Sequence, residues 1–197
     1  MKIKLILLAA ILLGVGAFPA MAEVPYVALD FGQSRVKDVC ADNPPGVTGC
    51  KDSARMFRLG VGSEITPAWS AEFSYGNYGK ASAGTMIDPF FGTITADWEI
   101  SGIQISGIGK LPLSNNFFLT GKIGFARTDI TVSGSVLGIN VSTSVSSTNL
   151  AYGVGMQYDF SGKISARAQY EDLGNVGDSN ITPSKVTLLS AGLSFRF

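Results

Sequence analysis

From Val24 onward, large apolar residues recur at every second position in runs separated by turn-rich stretches. This is the period of strands with two unlike faces. In YVALDFGQS (26–34), Val27, Leu29 and Phe31 share one face, and Tyr26, Ala28, Asp30 and Gly32 the other. RMFRLGVGSE (55–64) sets Phe57, Leu59 and Val61 against Arg58, Gly60 and Gly62. WSAEFSYGNY (69–78) sets Trp69, Ala71, Phe73 and Tyr75 against Ser70, Glu72, Ser74 and Gly76. A strand ending at Leu111 has Ile103 and Ile105 in phase, with Trp98 and Ile100 out of phase, so a bulge is expected near Ser101-Gly102. FFLTGKIGFA (117–126), NLAYGVGMQYDF (149–160), KISARAQYEDL (163–173) and VTLLSAGLSFRF (186–197) complete eight strands.

The breaks between strands alternate in length. Those after the second, fourth and sixth strands are short: Ile65 to Ala68, PLSNN (112–116) and Ser161-Gly162. Those after the first, third, fifth and seventh are long: Arg35 to Ala54, Gly79 to about Thr93, the Ser/Thr/Gly/Val-rich Arg127 to Thr148, expected to carry strand extensions around a tip near Leu137-Gly138, and Gly174 to Lys185. In an up-and-down meander, odd connections fall at one end and even ones at the other. Long loops at one end and tight turns at the other are the asymmetry of an outer-membrane barrel. The expected fold is all-β, an eight-stranded antiparallel up-and-down transmembrane β-barrel.

Which face points outward follows from size. A soluble lipocalin-type barrel would hold its large apolar residues inside. Here the second face is dominated by Gly, Ala and Ser with an occasional charge, and eight strands leave barely enough room for side chains. The small-residue face therefore fits the lumen, and the aromatic and branched face meets lipid. Trp69, Phe117, Phe160, Phe195 and Phe197 fall near the short-turn end, where an interfacial aromatic girdle belongs.

The N-terminus adds the compartment. MKIKLILLAAILLGVGAFPAMA has Lys2 and Lys4, an apolar stretch from Leu5 to about Val15, and the small-x-small site Ala20-Met21-Ala22. This is the layout of a cleaved secretory signal over 1–22; an uncleaved anchor helix is the other reading. Removing 22 of the 197 residues leaves 175 (23–197), one domain. Without Lys2 and Lys4, thirteen basic residues face fifteen acidic ones, and with no basic stripe nucleic acid is not an expected partner. No later stretch reaches the run of about 20 apolar residues a transmembrane helix needs. Cys40 and Cys50, in CADNPPGVTGC, read as a disulfide across a turn-rich loop in an exported chain. With no histidine, two thiols do not make a zinc site, so neither metal nor cofactor is expected.

With these residues in place, the chain resembles the OmpA-like transmembrane domain family over essentially the whole mature length. The most specific segment is GVGSEITPAWSAEFSYGNYGK (60–80); YVALDFGQS, GIQISGIGKLPLSNNFFLTGKIGFA and QYDFSGKISARAQYEDL follow in the family's order. The resemblance implies an interior Glu/Arg pair at Glu72 and Arg167, the arginine able to grip the glutamate bidentately. It also implies a final strand, with Leu193, Phe195 and Phe197 outward, read by the barrel-assembly machinery. Two departures stand out. Many members continue into a peptidoglycan-binding domain, whereas this sequence is read to Phe197, so tethering to the cell wall is not expected; and the positions matching the family's interior lysine and second glutamate hold Ile108 and Gln157.

Counting up from the short turns, Asp30, Arg58, Glu72, Lys122 and Arg167 lie at similar heights on the small-residue face, with Glu171 above. In so narrow an interior they should pair with one another. The network reads either as a fixed plug or as a gate that opens when Glu72 changes partner. Enzymatic barrels commonly use a histidine base, absent here, and Glu171 and Asp172 point to opposite faces, so no catalysis is expected. Phe90 and Phe91, in MIDPFF (86–91), either fold onto the rim or form a loop contact for a partner. The expected role is structural or at the cell surface, with at most a narrow pore. A gated small-solute channel and a loop-based adhesion or ligand-binding module are the alternatives. The expected setting is the outer membrane of a Gram-negative bacterium, both termini periplasmic, with the monomer in contact with lipid and lipopolysaccharide.

Overall fold

A computed structural model describes residues 24–37, 40, 48–88, 92–136, 139–176 and 184–197. The signal segment, Phe90, Phe91 and Leu137-Gly138 lie outside them. Alternating sequence becomes eight strands: β1 (Val24–Val36), β2 (Ser53–Thr66), β3 (Trp69–Asp88), β4 (Gly92–Pro112), β5 (Phe117–Val136), β6 (Ile139–Asp159), β7 (Ile164–Val176) and β8 (Ser184–Arg196). Each pairs antiparallel with the next and β8 closes on β1, giving an all-β, up-and-down closed barrel.

The register fixes the strand tilt. From Asp30 through Arg58, Gly76, Gly102 and Thr128, the pairing arrives at Ser147 of β6. In the other direction, through Gly192 and Arg167, it arrives at Gln157 of the same strand. The two arrivals are ten residues apart, and this stagger tilts the strands and brings distant register positions to one height in the lumen.

Three tight turns gather at one end with the start of β1 and the end of β8. Thr66 Oγ1 accepts from the amides of Ala68 and Trp69 at 3.3 and 3.0 Å, and Ser161 Oγ accepts from those of Lys163 and Ile164 at 3.3 and 3.2 Å. Each hydroxyl stands in for a ladder partner where the chain reverses. Between β4 and β5, the amides of Leu113 and Ser114 donate to the Phe117 carbonyl. The Phe197 amide donates to the Pro25 carbonyl at 3.0 Å, so the last residue is tied to the start of β1.

At the other end the strands are unequal. β3 to β6 run for 20 or 21 residues, against 13 or 14 for β1, β2, β7 and β8. The long loop expected from Gly79 to about Thr93 is therefore corrected: β3 continues to Asp88 and β4 starts at Gly92. The strand extensions expected within the Ser/Thr/Gly/Val-rich stretch Arg127 to Thr148 are present, with β5 running to Val136 and β6 starting at Ile139.

The expected bulge at Ser101-Gly102 is also corrected. β4 pairs without a break with β5 through Ile100↔Ile130, Ser101↔Asp129 and Gly102↔Thr128. The extra residue is on β3, where Asn77 faces Ser101 and Gly79 faces Ile100, leaving Tyr78 unmatched. Ile100 does point inward, for a reason given below.

The outward face carries an apolar belt with Phe31, Ile105, Phe125, Val154 and Leu189 each more than half exposed, which water would not tolerate and lipid requires. Trp69, Tyr158, Phe160 and Phe197 edge it at the turn end, and the Tyr158 and Phe160 rings meet edge to face at 5.1 Å. At the other edge outward charges pair: Lys80–Glu99 at 3.1 Å, Arg35–Asp52 at 3.0 Å and Lys185–Asp172 at 2.6 Å. Residues 70–79 separate Trp69 from Lys80 on β3, about the 9–11 residues of a tilted membrane-spanning strand.

Candidate functional site

From the turn end up to mid-height, small residues on most inward positions leave the lumen to a few long polar side chains. Asp30 (β1), Arg58 (β2), Glu72 (β3), Lys122 (β5), Arg167 and Glu171 (β7) are all buried there. Arg58 Nε donates to Asp30 Oδ2 at 2.9 Å, and its Nη1 lies 2.5 Å from Glu171 Oε1. Lys122 Nζ lies 3.2 Å from Glu72 Oε1 and 3.3 Å from Glu171 Oε2. Arg167 Nη1 donates to Glu72 Oε2 at 2.5 Å. Three cations and three anions thus form one continuous, electrically balanced network. In a medium of low dielectric each charge depends on the others, and removing one would strand its partners at a cost of several kcal/mol.

The bidentate grip expected between Arg167 and Glu72 belongs instead to Asp30. Arg167 Nε and Nη2 donate to Asp30 Oδ1 and Oδ2 at 2.7 and 2.6 Å, whereas Glu72 receives a single Nη1 contact. The register explains it. Arg167 pairs with Gly192, and Gly192 with Asp30, so the guanidinium lies across a residue without a side chain and meets the aspartate squarely. A Cβ on Gly192 would come within 2.3 Å of Asp30 Oδ1.

Further groups that the sequence pattern did not single out complete the network. Gln169 Oε1 accepts from Arg58 Nη2 at 2.8 Å, Gln104 Nε2 donates to Glu171 Oε2 at 3.3 Å, and the Tyr26 hydroxyl donates to Glu72 Oε2 at 3.2 Å. All three share the inward parity of the charged residues, which was the available signal. Ile108 is inward and pairs with Lys122 across the β4–β5 ladder. A lysine therefore reaches Glu72 from β5, one strand beyond the position occupied by the family's lysine. Gln157 is also in the lumen, where its Nε2 donates to Asp159 Oδ1 at 2.7 Å.

Near the turn end a second charge cluster spans the mouth. Arg196 Nε donates to Glu64 Oε1 at 2.9 Å, its Nη2 donates to both Asp159 carboxylate oxygens at 3.0 Å, and Lys110 also reaches Glu64. These residues tie β8 to β2, β4 and β6. Between mouth and network, Ser70, Thr120, Gln169 and Arg167 help line a cavity of about 10 Å³, space for one water.

Above the network the lumen changes character. Val36, Met56, Tyr78, Ala81, Ile100, Ala126, Ile130, Ala151, Leu173, Val186 and Leu188 form one buried apolar cluster, with Trp98 packed against it. The expectation of a lumen filled by Gly, Ala, Ser and charges is corrected for this half. Trp98 and Ile100 are on the inner face because the inner face is apolar here, so no change of phase is needed.

Leu193, Phe195 and Phe197 face outward. Cys40 and Cys50 are disulfide-bonded, beyond the β1 and β2 ends opposite the tight turns. Glu171 is in the lumen, while Asp172 accepts from the outward Tyr152 hydroxyl at 2.9 Å.

Comparison with known proteins agrees with this architecture. No curated protein sequence matches the chain. Among solved structures, the attachment invasion locus protein Ail of Yersinia pestis, crystallised in complex with the heparin analogue sucrose octasulfate, is similar at 21% identity and a TM-score of 0.56, over 90% of this chain and all of that one. The N-terminal β-barrel domain of Pseudomonas aeruginosa OprF is similar at 17% identity and a TM-score of 0.53, over 88% of this chain and 97% of that one. Neisserial surface protein A (NspA) has the same identity and coverages with a TM-score of 0.54. At these identities the likeness is one of fold. A family model described as outer membrane protein beta-barrel domain matches residues 5–197. With that match spanning nearly the whole sequence, and the apolar belt outside a charged lumen, the chain belongs to the outer-membrane β-barrel domain family.

Proposed function

We propose that this outer-membrane barrel has a structural or surface role rather than an enzymatic one, with its lumen held shut by the six-charge network. The observation that carries this reading is the mutual pairing of Asp30, Arg58, Glu72, Lys122, Arg167 and Glu171, all buried. A network with every charge matched resists rearrangement, because moving one member unmatches two others. Residues 1–22 act as the cleaved signal and 23–197 as the barrel. Both termini and the three tight turns face the periplasm, which sets the disulfide at the cell surface. The belt contacts phospholipid and lipopolysaccharide, the protein acts as a monomer, and the outward Leu193, Phe195 and Phe197 present the signal for the assembly machinery.

One observation favours a second reading, a gated narrow pore. Lys122 already touches the Glu72 oxygen that Arg167 does not, so a competing cation is in place for a change of partner. Single-channel recording of the refolded protein, as wild type and with Ile100→Asn and Leu188→Asn in the apolar layer above the network, separates the two. A fixed plug gives a silent bilayer; a gate gives open–closed steps.

A further inference from the structure

We infer that the lumen has two seals in series, and that the apolar layer above the charge network is a barrier to ions in its own right. This rests on the reading of the barrel as membrane-spanning with a plugged lumen, and it adds where the closure lies. Every one of the eight strands contributes at least one member to the apolar cluster, so it forms a complete disc across the lumen rather than a patch on one wall. Its largest members, Met56, Tyr78, Ile100, Ile130, Leu173 and Leu188, are each at most 3% exposed. The disc offers an ion no charged group and, among its members, one unpartnered polar atom, the Tyr78 hydroxyl, so crossing it would strip an ion of its hydration with nothing charged in return.

The two seals differ in their access to water. Below the network, the cavity lined by Arg167 and Ser70 also touches Glu64 and Lys110 at the mouth, and the Ser70 hydroxyl, buried and aimed into it, has no protein partner. On that side a water-sized space continues to the charged mouth. Above the network, the disc separates the charges from the opposite end of the barrel. A change of partner at Glu72 would therefore rearrange the lower seal and leave the upper one closed.

Planar-bilayer recording on four refolded forms tests this: wild type; Glu72→Ser with Arg167→Ser, which removes a matched pair; Ile100→Asn with Leu188→Asn, which wets the disc at similar side-chain size; and the four substitutions together. Heat-modifiable gel migration verifies folding of each. Two seals in series require silence from the first three and open steps from the fourth alone. Current through the Glu72/Arg167 variant with the disc intact would overturn the inference while leaving the charge plug in place. Silence from the folded fourth form would overturn it as well, and current through the wild type would instead overturn the plug itself. If the fourth form does not fold, thiol access decides. A charged methanethiosulfonate should modify Glu64→Cys at the mouth and spare Leu188→Cys, even with Glu72→Ser and Arg167→Ser present. Comparable labelling of Leu188→Cys would mean the disc is wet and the inference wrong.

Discussion

Glu72 is held from two sides at once: Arg167 Nη1 lies 2.5 Å from Oε2 while Lys122 Nζ lies 3.2 Å from Oε1. The two cations therefore share the carboxylate rather than compete for it. Losing either cation leaves the other to match the charge, whereas losing Glu72 leaves Arg167 with Asp30 alone and Lys122 with Glu171 alone, two cations each short of one partner. Glu72→Ala and Arg167→Ala should each lower barrel stability by about 3–5 kcal/mol, the cost of breaking a buried pair by removing one partner. The double variant should lose less than the sum, since each deletion removes the charge the other strands. Urea unfolding in detergent micelles, followed by tryptophan fluorescence, measures all three. Additive losses would mean that the two groups do not interact.

Arg196 gives a graded comparison. Its partners Glu64 and Asp159 keep 18% and 23% of their side-chain surface exposed, so water offsets part of what its removal costs. Arg196→Ala should destabilise by less than Arg167→Ala, about 1 kcal/mol, and the loss should shrink as salt rises. A loss equal to that of Arg167→Ala, unaffected by salt, would mean the mouth is as dry as mid-lumen.

Gly192 sits at the closing seam between β8 and β1. A Cβ there would meet the Leu29 carbonyl oxygen at 2.1 Å and Asp30 Oδ1 at 2.3 Å, and backbone cannot swing aside as a side chain can. Gly192→Ala should reduce the heat-modifiable folded band after refolding. Gly162→Ala, in an open turn with nothing near its Cβ, is the control and should refold as wild type. Equal folded yields would show that the seam has slack.

Orientation and assembly are separable in cells. With the tight turns periplasmic, Cys40 and Cys50 of intact, gently reduced cells should take up an impermeant thiol reagent. Uptake only after outer-membrane permeabilisation would reverse the orientation. Phe197→Ala should lower the folded yield in cells and leave refolding into detergent intact, because Phe197 is 75% exposed and adds little packing of its own. An unchanged folded band in cells would remove the assembly role.

The strands were legible from the sequence because a membrane barrel obeys period two with large residues outward, and Phe31, Ile105 and Phe125 follow that rule. The rule failed where its premise did. Above the charges the lumen is apolar, so Trp98 and Ile100 suggested a slip in β4 when the unmatched residue was Tyr78 of β3. Parity placed Asp30, Arg58, Glu72 and Lys122 on the inner face, but it could not tell which carboxylate Arg167 would grip. That choice depends on Gly192 lying between two strands far apart in sequence, and such a relationship exists only once the barrel closes. Glu64 and Arg196 were passed over for the same reason, since their separation of 132 residues conceals a bond across the mouth.

The central claim is that the matched six-charge network is a fixed plug, and single-channel conductance of the refolded barrel tests it most directly, as wild type and with the apolar disc wetted by Ile100→Asn and Leu188→Asn. The account requires a bilayer with the folded protein inserted and no resolved open steps in either form. Frequent open–closed transitions in either form that vanish when Glu72→Ala or Arg167→Ala is added would contradict it and make the network a gate.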